Sequence, residues 1–179
     1  MKIKLNKSEI VKALEFQKAR KQYAIDHNLT HTGNAKDVPQ NVDQLSILAE
    51  VAFGKVFDIS PIMELGQYHT PDCYVANIPI DVKASFRKPK FAVRPDSIKQ
   101  LPKNTLVAYC VADHFTVPPD EIEIEILGLI SHQKVKRDCY FDSFGHIKRT
   151  MAYAVYTRQL TPFHKFLEIV KSVKDPAPF

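Results

Sequence analysis

The segment Pro71-Asp72-Cys73-Tyr74-Val75-Ala76-Asn77-Ile78-Pro79-Ile80-Asp81-Val82-Lys83 constrains this chain more tightly than any other. Two apolar runs, Cys73–Ala76 and Pro79–Ser85, are separated only by Asn77 and Ile78. So short a gap permits little but a hairpin or a bulged turn. The period of two along a strand then turns Asp81 and Lys83 to one face and Val82 to the other. Asp72 precedes the partner strand, so pairing brings its carboxylate toward Asp81. Two acids and an ammonium group are thus expected to meet at one end of a sheet.

The rest of the chain supplies the layers for such a sheet. Ser8 is a candidate cap for a helix from about Glu9 to His27, with Ile10, Ala13 and Leu14 facing inward. Residues 29–41, holding Thr, Asn, Gly and Pro, read as a loop. Leu45, Leu48, Ala49, Ala52, Phe53 and Val56 recur on one face of a second helix, about Val42 to Phe57. Pro61, Gly66 and Pro71 punctuate the stretch before the hairpin. A third strand is expected over Thr105–Ala112, and a short helix between Pro95 and Leu101. Glu121 to Leu127 alternates acid and apolar residues, the mark of a strand with one wet face. Its acids are therefore surface groups and not a catalytic cluster. Tyr153–Thr157 reads as a strand. Thr161 then caps, and Pro162 opens, a helix to about Lys174, burying Phe163, Phe166, Leu167, Val170 and Val173. Helix, helix, strands, helix predicts an α/β fold with a mixed central β-sheet flanked by helices. No internal boundary is visible, so residues 1–179 are read as one domain, long enough to bury a core unaided.

Charge adds a partner class. The 25 Lys and Arg exceed the 20 Asp and Glu, giving a net charge of +5. Between Lys83 and Lys103 lie Arg87, Lys88, Lys90, Arg94 and Lys99 against one acid, Asp96. Lys134, Lys136, Arg137, Lys148 and Arg149 form a second cluster. Such clusters suit phosphate contacts, or else solvated loops. Cys73, Cys110 and Cys139 are odd in number and lack a Cys-X-X-Cys pair, which argues against a disulfide framework or zinc site. They read as small hydrophobes. His27 and His31 run into loop residues and make a poor helical metal pair. No apolar run reaches the roughly 20 residues of a membrane helix, and the N-terminus lacks a secretory core. A cytoplasmic protein without membrane partners is expected.

Asp72, Asp81 and Lys83 suit metal-assisted phosphodiester hydrolysis. Mg²⁺ takes hard oxygen ligands and keeps several waters, so two carboxylates and the Val82 carbonyl make a sufficient cradle. Lys83 would hold the attacking water and stabilise charge developing on the phosphate. A literal general base there would need a large downward pKa shift. Ser85, on the face of Asp81 and Lys83, is a candidate phosphate contact, as are Arg87, Lys88, Lys90 and Arg94. No Gly-rich phosphate loop or Gly-X-Ser-X-Gly nucleophile is present.

Pro-Asp, a short strand and then Asp-X-Lys resembles the signature of the PD-(D/E)XK, or restriction-endonuclease-like, nuclease superfamily. Leu48-Ala49-Glu50-Val51-Ala52-Phe53-Gly54-Lys55-Val56-Phe57 resembles its acid-bearing first core helix. Ile124 to Ile130, Tyr153–Thr157 and Leu160-Thr161-Pro162-Phe163 are similar to the ends of phage-encoded members. The likeness spans about residues 42 to 170, with the helix at about 9–27 added. It implies an α/β/α core, Asp72 and Asp81 as Mg²⁺ (or Mn²⁺) ligands, Lys83 as catalytic lysine and Glu50 as auxiliary ligand. It also implies DNA as substrate, in the host cytoplasm for a phage gene, and leaves open whether two copies pair to cut both strands. The alternative is a catalytically inactive module of the same fold that binds nucleic acid or protein. A third reading, RNA binding, would stack bases on Tyr140, Phe141 and Phe144.

Overall fold

The computed structural model describes residues 1–27, 40–61, 70–86, 89–115, 119–142 and 151–174, except the side chains of residues 40, 43, 173 and 174. In chain order the elements are β1 (Lys2–Leu5), α1 (Lys7–Asp26), α2 (Gln40–Val56), β2 (Cys73–Val75), β3 (Ile78–Phe86), β4 (Lys90–Val93) and α3 (Pro95–Gln100). There follow β5 (Leu106–Ala112), β6 (Ile122–Ser131), α4 (His132–Asp138), β7 (Tyr140–Asp142), β8 (Ala152–Tyr156), a 3₁₀ turn at Thr157–Gln159, β9 (Thr161–Pro162) and α5 (Phe163–Lys174).

The chain is an α/β protein built on a mixed sheet. Its strands run in the order β1-β6-β5-β3-β2, with β9 also paired to β6. Among the described residues only β3 and β5 pair in parallel. A parallel pair needs a crossover connection, and β4 and α3 supply it. A second, antiparallel sheet has the order β4-β8-β7.

Both faces of the large sheet are covered, which explains the unbroken apolar run of β5. On one face Ile80, Val82, Cys110 and Ile124 pack with Ile10 of α1, Leu48 and Phe53 of α2, and Phe163 and Phe166 of α5. On the other, Val107, Tyr109 and Ile130 pack with Ile98 of α3, Val135 of α4, and Phe91 and Val155 of the small sheet. The inward residues expected for the helices at 9–27 and 42–57 are buried, with Val56 partly so. Among the described residues no helix is long and apolar enough to cross a membrane. The three cysteines are free; Cys73 and Cys110 are buried and Cys139 is half-buried.

Several expectations need correction. Ser8 does not cap α1. Asn6 does, accepting from the Glu9 amide at 3.0 Å while Glu9 accepts from the Asn6 amide at 2.8 Å, a reciprocal box that draws Ser8 into the first turn. The hairpin turn is Ala76-Asn77, one residue earlier than expected, with φ of 48° and 65°. Two successive left-handed residues match the right-handed twist of a two-residue hairpin, and Ile78 thereby joins β3. Pro162 does not open α5, because Thr161 and Pro162 pair with Leu129 and Gly128 as β9 and the helix starts at Phe163.

Besides β9, three more strands and a helix were not expected. β1 lies along β6, where Lys2 and Lys4 form ion pairs with Glu123 at 2.6 Å and Glu121 at 2.7 Å. The wet face of β6 is thus lined by lysines from the chain's start. β4, β7 and α4 are short and carry little periodicity of their own. The loop expected at 29–41, together with Gly66, Phe144, Lys148 and Arg149, lies outside the described residues apart from residues 40 and 41, which belong to α2.

The β6–β9 contact depends on Gly128, where an added Cβ would stand 2.3 Å from the Thr161 carbonyl oxygen. Backbone must then shift, so Gly128→Ala is expected to lower stability by about 1–3 kcal/mol in urea unfolding. An unchanged midpoint would show that the approach is not tight.

Candidate active site

The site forms where β2 ends and β3 continues. Cys73 pairs with Ile80 in the final rung of the hairpin register. The Asp72 amide donates to the Ile80 carbonyl at 2.9 Å. The next outward amide on β3, that of Val82, donates to Asp72 Oδ2 at 2.6 Å. A side chain thus replaces the missing strand rung. Amide and carbonyl of one strand residue point the same way, so the Val82 carbonyl faces this edge too.

Asp81 and Lys83 turn to the opposite sheet face from Val82, as their spacing predicts. Lys83 Nζ donates to Asp81 Oδ1 at 2.6 Å. Asp81 is only 5% exposed, and its Oδ2 has no hydrogen-bond partner among the described residues. Glu50 is only 8% exposed, on α2, rather than a surface glutamate. Arg20 of α1 approaches it, with Nη1 3.9 Å from Glu50 Oε1.

The electrostatics tie these groups together. Burial, then the charge of Asp72, pushes the Glu50 carboxyl up to about 8, against the opposing pull of Arg20 and Lys83. Burial and then Asp81 push Asp72 up to about 6. Burial works against the Lys83 ammonium, yet Asp81 and Asp72 outweigh it and hold the group above its ordinary value. Burial, Asp72 and Glu50 push the Cys73 thiol up to about 12, so it is an inert neighbour. Glu50, Asp72, Asp81 and Lys83 therefore share one electrostatic environment with an excess of negative charge.

Such an environment favours a cation. Among the described residues no three His, Cys, Asp or Glu side chains are gathered closely enough to form a finished metal cluster. Asp72, Asp81 and the Val82 carbonyl fit a sparser arrangement, two carboxylates and one carbonyl, which suits an ion that retains several waters. The buried, unpartnered Oδ2 of Asp81 is the observation that supports the fit.

The phosphate-contact candidates are more scattered. Ser85 is half-buried; its hydroxyl donates to the Phe86 carbonyl at 3.1 Å and hydrogen-bonds the Tyr109 hydroxyl. Lys90, on β4, is ion-paired with Asp142. Arg94 is exposed and precedes α3. Arg87 and Lys88 lie outside the described residues. In the second cluster Lys134 donates to the Gln159 carbonyl at 3.0 Å, and Arg137 pairs with Asp138 at 2.6 Å. Tyr140 and Phe141 are exposed on β7. His27 ends α1, its Nδ1 2.9 Å from the Tyr23 carbonyl, and His31 lies outside the described residues.

Two residues near the site were not anticipated. Arg20 sits among other cations of α1 with no distinguishing local pattern. His132 follows the apolar end of β6 and is 2% exposed. Burial holds its pKa below the ordinary histidine value, while Asp81 pulls it up and Lys83 pushes it down. No protein-family profile, curated protein or solved structure matches the chain.

The raised carboxyls predict a pH effect. Both bind protons more tightly folded than unfolded, so their contribution to stability is greatest below about pH 4 and is lost as pH rises. For Glu50 the loss runs from 4.5 to about 8, and for Asp72 from 3.8 to about 6. The slope approaches about 1.4 kcal/mol per pH unit for each proton. Glu50→Gln, unfolded by urea in chelator, is expected to flatten the decline above about pH 6. Equal slopes in the two proteins would contradict the assignment.

Proposed function

We propose that this chain is a divalent-metal-dependent nuclease that hydrolyses phosphodiester bonds, with DNA as substrate. The observation that supports the reading lies where β2 ends and β3 runs on. Asp72 bonds the Val82 amide there, and Asp81, the residue before Val82, keeps one buried oxygen without a partner among the described residues. The order of acid-bearing helix, Pro-Asp, hairpin and Asp-X-Lys, which resembles the PD-(D/E)XK superfamily, supports the choice of reaction. The basic segment after Lys83 supports a polyanionic substrate.

Mg²⁺ or Mn²⁺ would supply Lewis-acid polarisation of the phosphate and a water acidic enough to attack at neutral pH. Asp72, Asp81 and the Val82 carbonyl would hold the ion, with Glu50 as auxiliary ligand once it gives up its proton. Lys83 stays an ammonium, because its neighbours raise its proton affinity. It is therefore suited to neutralise charge on the phosphate and not to act as a base. To do so it must swing from Asp81 Oδ1 toward the substrate.

The test is incubation with linear, nicked, single-stranded and junction DNA in Mg²⁺, Mn²⁺ or chelator. Asp81→Asn and Lys83→Ala are expected to cut at least about 100-fold more slowly, with unchanged circular dichroism. Wild-type rates in both variants would remove the site from the mechanism. The pairing of Lys83 with Asp81 also fits a non-catalytic module of the same fold. Salt-sensitive binding without any product, in any metal, is what that reading expects.

A further inference from the structure

Asp81, Thr105 and His132 share a property that the roles above use for Asp81 alone. They are 5%, 0% and 2% exposed. Asp81 Oδ2, Thr105 Oγ1 and both ring nitrogens of His132 have no hydrogen-bond partner among the described residues. Buried polar atoms are rarely left so, since each costs about 1–3 kcal/mol.

The sheet register sets the three on one face of neighbouring strands. Asp81 lies opposite Val107, and Val107 opposite Ile130. Thr105 stands two residues before Val107 and His132 two after Ile130, so period-two geometry turns both to the face that carries Asp81. The ladder extends one rung past β6, because the His132 amide donates to the Thr105 carbonyl at 3.2 Å. Thr105 therefore stands opposite His132 on one side and, on the other, beside β3 one step before Ile80, diagonal to Asp81. The charges of Asp81 and Lys83 both act on the imidazole, which places it within electrostatic reach of the site. The chemistry is complementary as well: carboxylate oxygen accepts, hydroxyl donates and accepts, and neutral imidazole offers one of each.

We propose that Asp81, Thr105 and His132 form a buried polar relay, closed by an ordered water, in which His132 is a positioning residue for the Asp81 carboxylate. A water with three polar partners is a common solution for such a set of groups. The relay would fix the direction of Asp81 Oδ2 from the sheet side through one lone pair, leaving the other to the metal and Oδ1 to Lys83. Its consequence for metal binding rests on the nuclease reading; the relay itself does not. Groups that orient a ligand in this way are worth about 10–100-fold in metal affinity.

Two measurements on the full chain test it. In chelator, the imidazole ¹⁵N shifts of His132 are expected to report one tautomer and to move in Asp81→Asn and in Thr105→Val. Shifts unchanged in both variants would overturn the relay. In calorimetric titration with Mn²⁺, His132→Phe is expected to bind about 10–100-fold more weakly, with His132→Gln recovering part of the loss. Mn²⁺ affinity equal to wild type in a folded His132→Phe would overturn the positioning role. If that variant does not fold, Thr105→Val carries the titration, with the same expected weakening and the same contrary result. Should wild type bind no Mn²⁺, the nuclease reading fails, and the shift comparison still decides the relay.

Discussion

The hydrogen bond from the Val82 amide to Asp72 Oδ2 is the contact on which the candidate site depends. β2 is only three residues long, whereas β3 has nine. Past Ile80 the outward-facing groups of β3 have lost their strand partner in the hairpin. An amide left unbonded in partly buried surroundings would cost about 1–3 kcal/mol. Asp72 removes that cost, but only by drawing a carboxylate within electrostatic reach of Asp81. The fold's need for an acceptor and the site's concentration of charge are thus one event.

Charge balance follows from that geometry. Asp72, Asp81 and Glu50 act on one another, and Lys83 and Arg20 act on all or part of the group. Burial raises the proton affinity of Glu50 and Asp72 because too little positive charge is at hand. Lys83 engages one oxygen of Asp81 and leaves the other unpartnered among the described residues. Arg20 reaches Glu50 only at 3.9 Å, from a partly exposed position. A divalent cation would relieve the excess in a way that one lysine and one distant arginine do not. The same arithmetic explains why Lys83 is better suited to meeting phosphate than to removing a proton.

What the sequence disclosed was local, and what it hid was long-range. The hairpin and the shared face of Asp81 and Lys83 follow from strand period alone, and Asp72 follows once the hairpin closes. The turn was misplaced by one residue because Ala76 takes a left-handed φ that usually marks Gly or Asn. The resemblance singles out Glu50 as the acid of its helix, but only the packing of α2 makes it buried. Arg20 and His132 reach the site from α1 and from the end of β6, and no pattern around either points there. β1 escaped notice for a similar reason: its lysines match glutamates of β6 at the far end of the chain. Lys90, read as a phosphate contact from charge alone, has Asp142 of an unforeseen strand as its partner.

The most direct test is a crystal structure grown with Mn²⁺ and examined by anomalous scattering. One ion is expected, bonded to carboxylate oxygens of both Asp72 and Asp81, with the Val82 carbonyl beside it. An ion found elsewhere, or Asp81 still bonded to Lys83 alone at saturating Mn²⁺, would contradict this arrangement.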